Sequence, residues 1–263
     1  MNLRDMGIMF RNPLLLIALA IAVLTALILP YILEGLEQGL ILAPDQERYV
    51  LAFSWQPAFC EMRPKKPECT SQTNDRYDAD HFSLHGLWPQ PRSKAYCDVA
   101  PDLVSLDKDG RWTELPRLEL TEETYKTLAN VMPGTMSGLD RHEWYKHGSC
   151  YTGKTAEQYY ADSLALMEQI NNSPVRDLFA ENIGNELETV DIQAVFNSTF
   201  GQGSGDRIRV ACKQDGSRRI ITEITLGLVG NLEPPPDMEN LILASQPVDS
   251  GCPGGIVDAV GLQ

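Results

Sequence analysis

Cysteines constrain the fold of this chain more than any other residue type. The chain has six, and all of them lie between Cys60 and Cys252. In an oxidising compartment an even number of cysteines indicates disulfides, so we expect three bridges within the body of the protein. Many pairings are open, and spacing alone does not choose among them. No C-x-x-C pair is present, which argues against a structural zinc site.

The N-terminal segment predicts export. Two arginines precede an apolar run over residues 14–33 that contains no charge, and two glutamates follow it. A helix of this length matches a bilayer core, and the basic flank predicts a cytoplasmic N-terminus. We therefore expect a signal-anchor over residues 1–43 and a body over residues 44–263 on the periplasmic or extracellular side. The alternative is a cleaved signal and a soluble body, although a cleaved signal usually has a shorter apolar core and a small-residue cleavage site.

The chain is acidic. Its net charge is -14, from 22 basic and 36 acidic residues. This balance disfavours tight, non-specific binding of nucleic acid, which needs a basic surface. It leaves open a nuclease whose small cationic site holds the substrate transiently.

Alternating hydrophobicity predicts two strands near the start of the body. Residues 49–56 alternate, with an apolar face that carries Tyr49 and Trp55. Residues 81–87 form the second strand, whose His85 faces away from the core at the strand's exit, where Gly86 leaves room for a ligand. Between them, residues 61–80 are polar and predict a loop.

The rest of the body predicts helices followed by strands. We expect helices at residues 121–131, 155–171, 175–182 and 192–200, and strands at residues 207–213 and 219–228. Thr155 and Gln158 have the spacing of a capping box. The predicted fold is α+β, with a central, mainly antiparallel β-sheet flanked by helices and preceded by one N-terminal transmembrane helix.

Two of the four histidines of the chain lie in one short segment, residues 142–147. On an α-helix at about 100° per residue, one face would carry His142, Glu143, Lys146 and His147. The two aromatic residues between them would lie on the opposite side and pack. A surface helix has no reason to collect these groups on one face, so the cluster indicates catalysis.

The chemistry of this cluster suits attack on a phosphodiester. One imidazole can remove a proton from a nucleophilic oxygen, and a second can donate one to the leaving oxygen, because the pKa of histidine lies near the working pH. RNA supplies its own nucleophile, the 2′-hydroxyl, so the reaction needs no metal or cofactor. A zinc hydrolase is the least favoured alternative, because H-E-x-x-x-H is one residue longer than the H-E-x-x-H spacing of zinc proteases.

Two segments resemble the active-site signatures of the ribonuclease T2 family. They are residues 82–89, FSLHGLWP, and residues 142–150, HEWYKHGSC. The strand end SWQPAFC, residues 54–60, is also similar to that family. The resemblance covers roughly residues 47–252 and is to bacterial, ribonuclease I-like members, here with an N-terminal membrane anchor.

The resemblance implies a ribonuclease T2-like fold for residues 44–263 and an endoribonuclease that cleaves single-stranded RNA through a 2′,3′-cyclic phosphate. It implies that His147 is the general base on the 2′-hydroxyl. His85 would be the general acid that protonates the 5′-oxygen of the leaving group.

The resemblance also implies roles for the remaining signature residues. Glu143 and Lys146 would stabilise the pentacovalent phosphate, His142 would hold phosphate, and Trp88 would lie at the base-binding region. Gln90 stands where many fungal members carry an aspartate that helps to recognise the base, so no base preference follows. The disulfides implied by the family are Cys60–Cys69, Cys97–Cys150 and Cys212–Cys252.

RNA is the expected partner, together with the membrane through residues 14–33. We expect a monomer with no obligate protein partner, no cofactor and no metal. The alternative from a different functional class is a catalytically weak, membrane-tethered protein that binds RNA or acts as an inhibitor. The intact histidines, glutamate and lysine of the two signatures argue against it.

Overall fold

The computed structural model describes residues 17, 46–151, 155–232 and 234–263. Among these residues, none of the helices has the length and hydropathy needed to cross a bilayer. The anchor expected over residues 14–33 lies, apart from residue 17, outside the described residues, so it stays a prediction. The body forms one compact unit, Glu47–Gln263.

A β-sheet forms the centre of this unit. Within the described chain its strands are β1 Arg48–Trp55, β2 Phe82–Pro89, β3 Glu186–Glu188, β4 Ile208–Asp215, β5 Arg218–Val229 and β6 Gly254–Ile256. Their order is β2-β1-β5-β6-β3, and β4 also pairs with β5. The pairs are antiparallel except for β5 with β6, which is parallel. The expected α+β fold with a mainly antiparallel sheet is confirmed.

Helices flank the sheet. Among the described residues they are α1 Gln56–Met62, α2 Pro67–Thr70, α3 Pro101–Lys108, α4 Glu122–Val131, α5 Leu139–Lys146, α6 Ala156–Asn171, α7 Pro174–Glu181, α8 Thr189–Phe200 and α9 Met238–Leu243. The side chains of Thr121 and Thr155 cap α4 and α6 as N-cap residues, each by accepting a hydrogen bond from a backbone N–H in the first turn. The four helices predicted from periodicity are present with small shifts in their ends.

The loop expected over residues 61–80 is wrong in part, because α1 and α2 occupy this region. Pro57 lies in the first turn of α1 and Pro67 in the first turn of α2. Proline is well suited to a first helical turn, where its missing N–H would have no partner in the helix. Pro57 and Pro67 therefore begin helices, of which α2 lies wholly within the predicted loop.

A β-bulge in β2 determines where His85 points. Ala52 of β1 pairs with Gly86, and the next residue, Phe53, pairs with Leu84. His85 is therefore the extra residue on β2, and the bulge changes which side chains share a face of the strand. Past the bulge, Leu87 returns to the core face, so His85 and Trp88 lie together on the opposite face. Simple alternation along β2 would have separated these two side chains.

Helix α6 covers the outer edge of β2. The hydroxyl of Tyr159 donates to the backbone oxygen of Leu87 at 2.9 Å, and the amide of Asn171 donates to that of Phe82 at 3.0 Å. These side chains satisfy backbone groups that an edge strand would otherwise expose. Tyr159 and Ile170 of α6 are also fully buried, and each such side chain stabilises the fold by roughly 1.5–3 kcal/mol. The strand that carries His85 is thus held on both sides.

Disulfides tie the loops around the sheet. The pairs are Cys60–Cys69, Cys97–Cys150 and Cys212–Cys252, the same pairs that the family resemblance implied. The second of them joins the segment that follows β2 to the segment that follows α5. Next to it, the backbone N–H of Tyr96 donates to the backbone oxygen of Lys146 at 2.9 Å. The two signature segments are therefore connected covalently as well as by packing.

Candidate active site

Helix α5 directs Glu143 into the protein interior and ends at Lys146. His147 follows as the C-cap residue, with φ -115° and ψ -50°. The expectation that one continuous helix carries all four polar side chains of this segment on one face is therefore wrong for His147. A residue beyond the last turn is placed by its own backbone angles, so helical phase does not predict its direction.

Glu143 is the centre of the cluster. Its side chain is only 1% exposed. Its Oε2 accepts a hydrogen bond from Nε1 of Trp88 at 2.8 Å. Its Oε1 lies 3.7 Å from Nε2 of His85 and 3.8 Å from Nε2 of His142. Burial raises the pKa of Glu143, and the two imidazoles and the indole hydrogen bond oppose that rise.

Glycine at position 86 is required by the approach of Glu143 to β2. A Cβ at Gly86 would lie 2.0 Å from Oε2 of Glu143 and 2.6 Å from Nε1 of Trp88. Both distances are far below van der Waals contact, and both atoms belong to the hydrogen bond that holds the carboxylate. The glycine of the first signature therefore provides the space in which the glutamate of the second one lies.

His85 is bound by a carboxylate from a distant strand. Its Nδ1 lies 2.5 Å from Oε2 of Glu223, which is on β5. Burial disfavours the imidazolium, but the hydrogen bond to Glu223 and the negative charges of Glu143 and Glu223 outweigh it, and the pKa of His85 is raised. The charge of Lys146 opposes this rise. The side chain of His85 is still 35% exposed, so part of its ring can contact a ligand.

His142 is held in the same way by a different carboxylate. Its Nδ1 lies 2.7 Å from Oδ1 of Asp107, on α3, and its ring stacks on that of Trp112 at 4.2 Å. Burial raises the pKa of Asp107, but hydrogen bonds from His142 and from the hydroxyl of Tyr96 outweigh it, so the pKa is lowered overall. His142 therefore faces Glu143 with a fixed ring orientation.

His147 lies in a different electrostatic environment. Its ring centre is 5.5 Å from that of Trp88 and 6.5 Å from that of His142. No hydrogen bond to its ring is formed by the residues that the structure describes. Burial and the positive charge of Lys146, followed by those of the other histidines, lower the pKa of His147 to about 3. This imidazole is neutral over the physiological range.

A cleft adjoins His85. It encloses about 690 Å³, and its lining includes Ser54, Leu84 and Trp112. Three cationic side chains, of Arg63, Lys66 and Lys213, and two carboxylates, of Glu68 and Glu223, also line it. The cleft is large enough for a nucleotide, and its charge is more balanced than that of the acidic chain as a whole.

The structure brings together His85, Trp88, His142, Glu143 and His147 by direct contact. Lys146 joins them through its charge, which acts on the pKa values of both His85 and His147. The sequence analysis missed three other participants, Glu223, Asp107 and Trp112. A charged residue within the apolar alternation of β5 was a visible signal for Glu223. Nothing in the local sequence distinguishes Asp107 or Trp112.

Comparison with known proteins agrees with this geometry. Residues 46–238 match the model of the Ribonuclease T2 family. Ribonuclease I of Escherichia coli is 30% identical over 230 residues, which is 79% of this chain and 84% of that protein. Extracellular ribonuclease LE of Solanum lycopersicum is 26% identical over 164 residues, 60% of this chain and 67% of that protein.

Among solved structures, the S3-RNase of Japanese pear is similar in fold. It superimposes with a TM-score of 0.52 and 18% identity, over 81% of this chain and 99% of that one. The sheet and helices of the body thus form a fold that is also found among solved structures. With a family match that spans most of the body and a bacterial relative that is similar over most of its length, this chain belongs to the ribonuclease T2 family.

Proposed function

We propose that this chain is an endoribonuclease that cleaves single-stranded RNA by transphosphorylation to a 2′,3′-cyclic phosphate, with His147 as the general base and His85 as the general acid. The observation that carries the assignment is the opposite environment of the two imidazoles. Burial and neighbouring cations lower the pKa of His147 to about 3, whereas two carboxylates raise the pKa of His85. The neutral form is thus favoured in His147 and the charged form in His85.

His147 has the properties of a general base. Since it is neutral at physiological pH, its free ring nitrogen can accept the proton of the 2′-hydroxyl. The oxygen that loses this proton attacks the adjacent phosphorus, and the bond to the 5′-oxygen breaks. DNA lacks the 2′-hydroxyl, so His147 has no proton to remove and DNA is not cleaved in this way.

His85 has the properties of a general acid. Its pKa is raised above that of a free imidazole, so the imidazolium persists to higher pH, and His85 lines the cleft. A proton donated from Nε2 neutralises the 5′-oxygen as that oxygen leaves. The same ring can then take a proton from water when the cyclic phosphate is hydrolysed.

Three further groups act on the phosphate itself. Lys146 supplies positive charge at the position where negative charge develops on the phosphorane, and His142 is proposed to hold phosphate. Glu143 lies between the Nε2 atoms of His85 and His142 and keeps both rings directed toward one point. Because this constellation is buried and held by hydrogen bonds, it needs little rearrangement as the charge develops.

The substrate is proposed to enter through the cleft beside His85. The nucleoside attached to the leaving oxygen would lie in this cleft, since His85 is part of its wall. Trp88 lies between His85 and His147, with ring centres 5.3 and 5.5 Å away, and is proposed to contact the base or ribose at the scissile position.

We further propose that the protein is exported and that residues 1–43 anchor the domain of residues 44–263 on the periplasmic or extracellular side. Three disulfides in the body support an oxidising compartment. A bacterial, ribonuclease I-like identity is supported by the similarity to the Escherichia coli enzyme. Fractionation of membranes with N-terminal sequencing tests the anchor. A soluble protein that begins after residue 33 would favour a cleaved signal.

The catalytic assignment is tested with a substrate whose leaving group needs no acid. In a dinucleotide with sulfur in place of the bridging 5′-oxygen, the leaving nucleoside departs as a thiolate. A thiolate is far more stable than an alkoxide, because a thiol has a pKa of about 8.5. His85→Phe should lose at least about 1,000-fold in kcat on the oxygen substrate and regain most of it on the sulfur substrate. His147→Phe should be impaired on both.

The controls for this experiment separate the alternatives. Wild-type activity should survive a chelator, since no step requires a metal. Loss of wild-type activity on chelation would favour a metal hydrolase. If the domain binds RNA but releases no products with 2′,3′-cyclic phosphate ends, the alternative of an RNA-binding protein is favoured over the endoribonuclease.

A further inference from the structure

We propose that Glu223 is a positioning residue that holds His85 by Nδ1 and thereby makes His85, rather than His147, the proton donor. This inference rests on the proposed function, in which His85 protonates the leaving oxygen. Glu223 lies outside both signature segments, 138 residues from His85 in sequence, and nothing in the local sequence of β2 indicates the pairing.

The sheet brings Glu223 to His85. Glu223 lies on β5 directly opposite Ser54 of β1, and Ser54 is in turn opposite Ser83 of β2. The bulge places His85 on the face of the sheet that these residues share. Oε2 of Glu223 and Nδ1 of His85 are then 2.5 Å apart, the distance of a strong, charge-assisted hydrogen bond.

A carboxylate at Nδ1 fixes what the other nitrogen can do. Nδ1 donates to Glu223, so in the protonated ring the second proton is on Nε2, which lies 3.7 Å from Oε1 of Glu143. When Nε2 gives up that proton, the ring remains held by the same hydrogen bond. Glu223 therefore sets the ring orientation and favours the charged form before the reaction begins.

The charged groups around His85 come from three elements. Glu223 on β5 and Glu143 on α5 favour its imidazolium, whereas Lys146, also on α5, opposes it. His147, beyond the end of α5, is itself affected by the charge of His85. Of these groups, only Glu223 makes a hydrogen bond to the ring, and Glu143 stays 3.7 Å away.

His147 provides the internal comparison. Among the described residues it has no carboxylate at either ring nitrogen, and its pKa is lowered to about 3. Two histidines of one cluster are thus shifted in opposite directions. The hydrogen bond to Glu223, together with the charge of Glu143, favours the charged form of His85, whereas His147 has no such hydrogen bond among the described residues.

The test replaces the carboxylate without changing its shape. In Glu223→Gln, kcat at neutral pH should fall by roughly 10- to 100-fold, the range expected for one hydrogen bond to a charged group, with a smaller change in KM. The decline of kcat/KM at alkaline pH should begin at lower pH. Glu223→Asp keeps the charge and should restore part of the rate. Glu181→Gln, an exposed site with the same change of charge, should behave as wild type.

Two readouts exclude a merely structural effect. The deficit of Glu223→Gln should shrink to within about threefold of wild type on the 5′-sulfur substrate, because that leaving group needs no proton. Histidine NMR, with only four rings to assign, should show the pKa of His85 lowered in Glu223→Gln while that of His81 is unchanged. An unchanged pKa of His85, or an equal deficit on both substrates, would overturn the proposal.

The two proposals fail in different ways. If His85→Phe is not rescued by the sulfur leaving group, the assignment of His85 as the acid is wrong. If His85→Phe is rescued and Glu223→Gln is not, only the role of Glu223 is wrong.

Discussion

Replacing Gly86 by alanine tests the geometry of the active site at its most crowded point. The new Cβ would lie 2.0 Å from Oε2 of Glu143, whereas an ordinary carbon–oxygen contact begins at about 3.3 Å. The carboxylate must therefore retreat by about 1.3 Å. It loses its hydrogen bond to Trp88 and its position between the imidazoles of His85 and His142.

The cost of this substitution can be estimated from those contacts. A displacement of about 1 Å at a catalytic centre can lower kcat about 100-fold. Overpacking costs about 1–3 kcal/mol, and loss of a hydrogen bond to a charged group costs about 1.5–3 kcal/mol. The lower chain entropy of alanine in the unfolded state returns about 0.5–1 kcal/mol. We expect a net loss of about 1.5–5.5 kcal/mol in the free energy of unfolding.

The assay combines steady-state cleavage of a single-stranded homopolymer with urea unfolding. Gly227→Ala is the matched control, since its Cβ would also be crowded, 2.9 Å from Oγ of Ser245, but would touch no residue of the active site. It should lose stability while keeping its kcat. If Gly86→Ala retained wild-type kcat and stability, Glu143 could not occupy the position described.

Three other perturbations probe the electrostatics and the loops. The pH profile of kcat/KM should have an acidic limb near the pKa of His147, about 3, and an alkaline limb above pH 6.5, because the pKa of His85 is raised. A loss of activity with rising pH whose midpoint lies below pH 6 would contradict this order. Asp107→Asn frees the ring of His142 and should weaken substrate binding by about 10-fold. Because the pKa of Asp107 is lowered, the contribution of its carboxylate to stability is present above about pH 3.9 and is lost as the pH falls through the folded pKa. The variant should lack this pH dependence when it is unfolded by acid. Removal of the Cys97–Cys150 bridge, which closes 53 residues, should lower the free energy of unfolding by about 4 kcal/mol, and an unchanged urea midpoint would refute the tethering role.

The sequence predicts the elements of this fold well where side-chain periodicity is strong. The alternation of Tyr49, Leu51, Phe53 and Trp55 appears in the structure as the buried face of β1. The N-cap of α6 is at the predicted Thr155, whereas Thr121, which was predicted only to begin a helix, is the N-cap of α4. In these cases the local pattern and the tertiary structure favour the same conformation, so local reasoning is sufficient.

The β-bulge at His85 could not be predicted from the local sequence. Strict alternation along β2 places His85 and Trp88 on opposite faces, and the register with β1 is needed to bring them together. A bulge depends on pairing between strands that are distant in the chain. Its position was therefore not predictable from residues 82–89 alone.

The carboxylates that hold the imidazoles illustrate the same limit. The histidines were found because they form short signatures, but Glu223 and Asp107 reach them from β5 and α3. In a chain with 36 acidic residues, composition does not distinguish two of them. The signatures contain the groups that we propose to react, whereas the fold is needed to pair Glu223 and Asp107 with the imidazoles that they hold.

Cleavage of a chimeric oligonucleotide tests the central claim most directly. The substrate is a DNA strand that contains a single ribonucleotide, and the assay is carried out in the presence of a chelator. We predict one cut, on the 3′ side of the ribonucleotide, with a 2′,3′-cyclic phosphate on the upstream product and a free 5′-hydroxyl on the downstream one. Cleavage of the all-DNA strand, a product with a 5′-phosphate, or cleavage that persists when the ribonucleotide carries a 2′-O-methyl group would contradict attack by the 2′-hydroxyl.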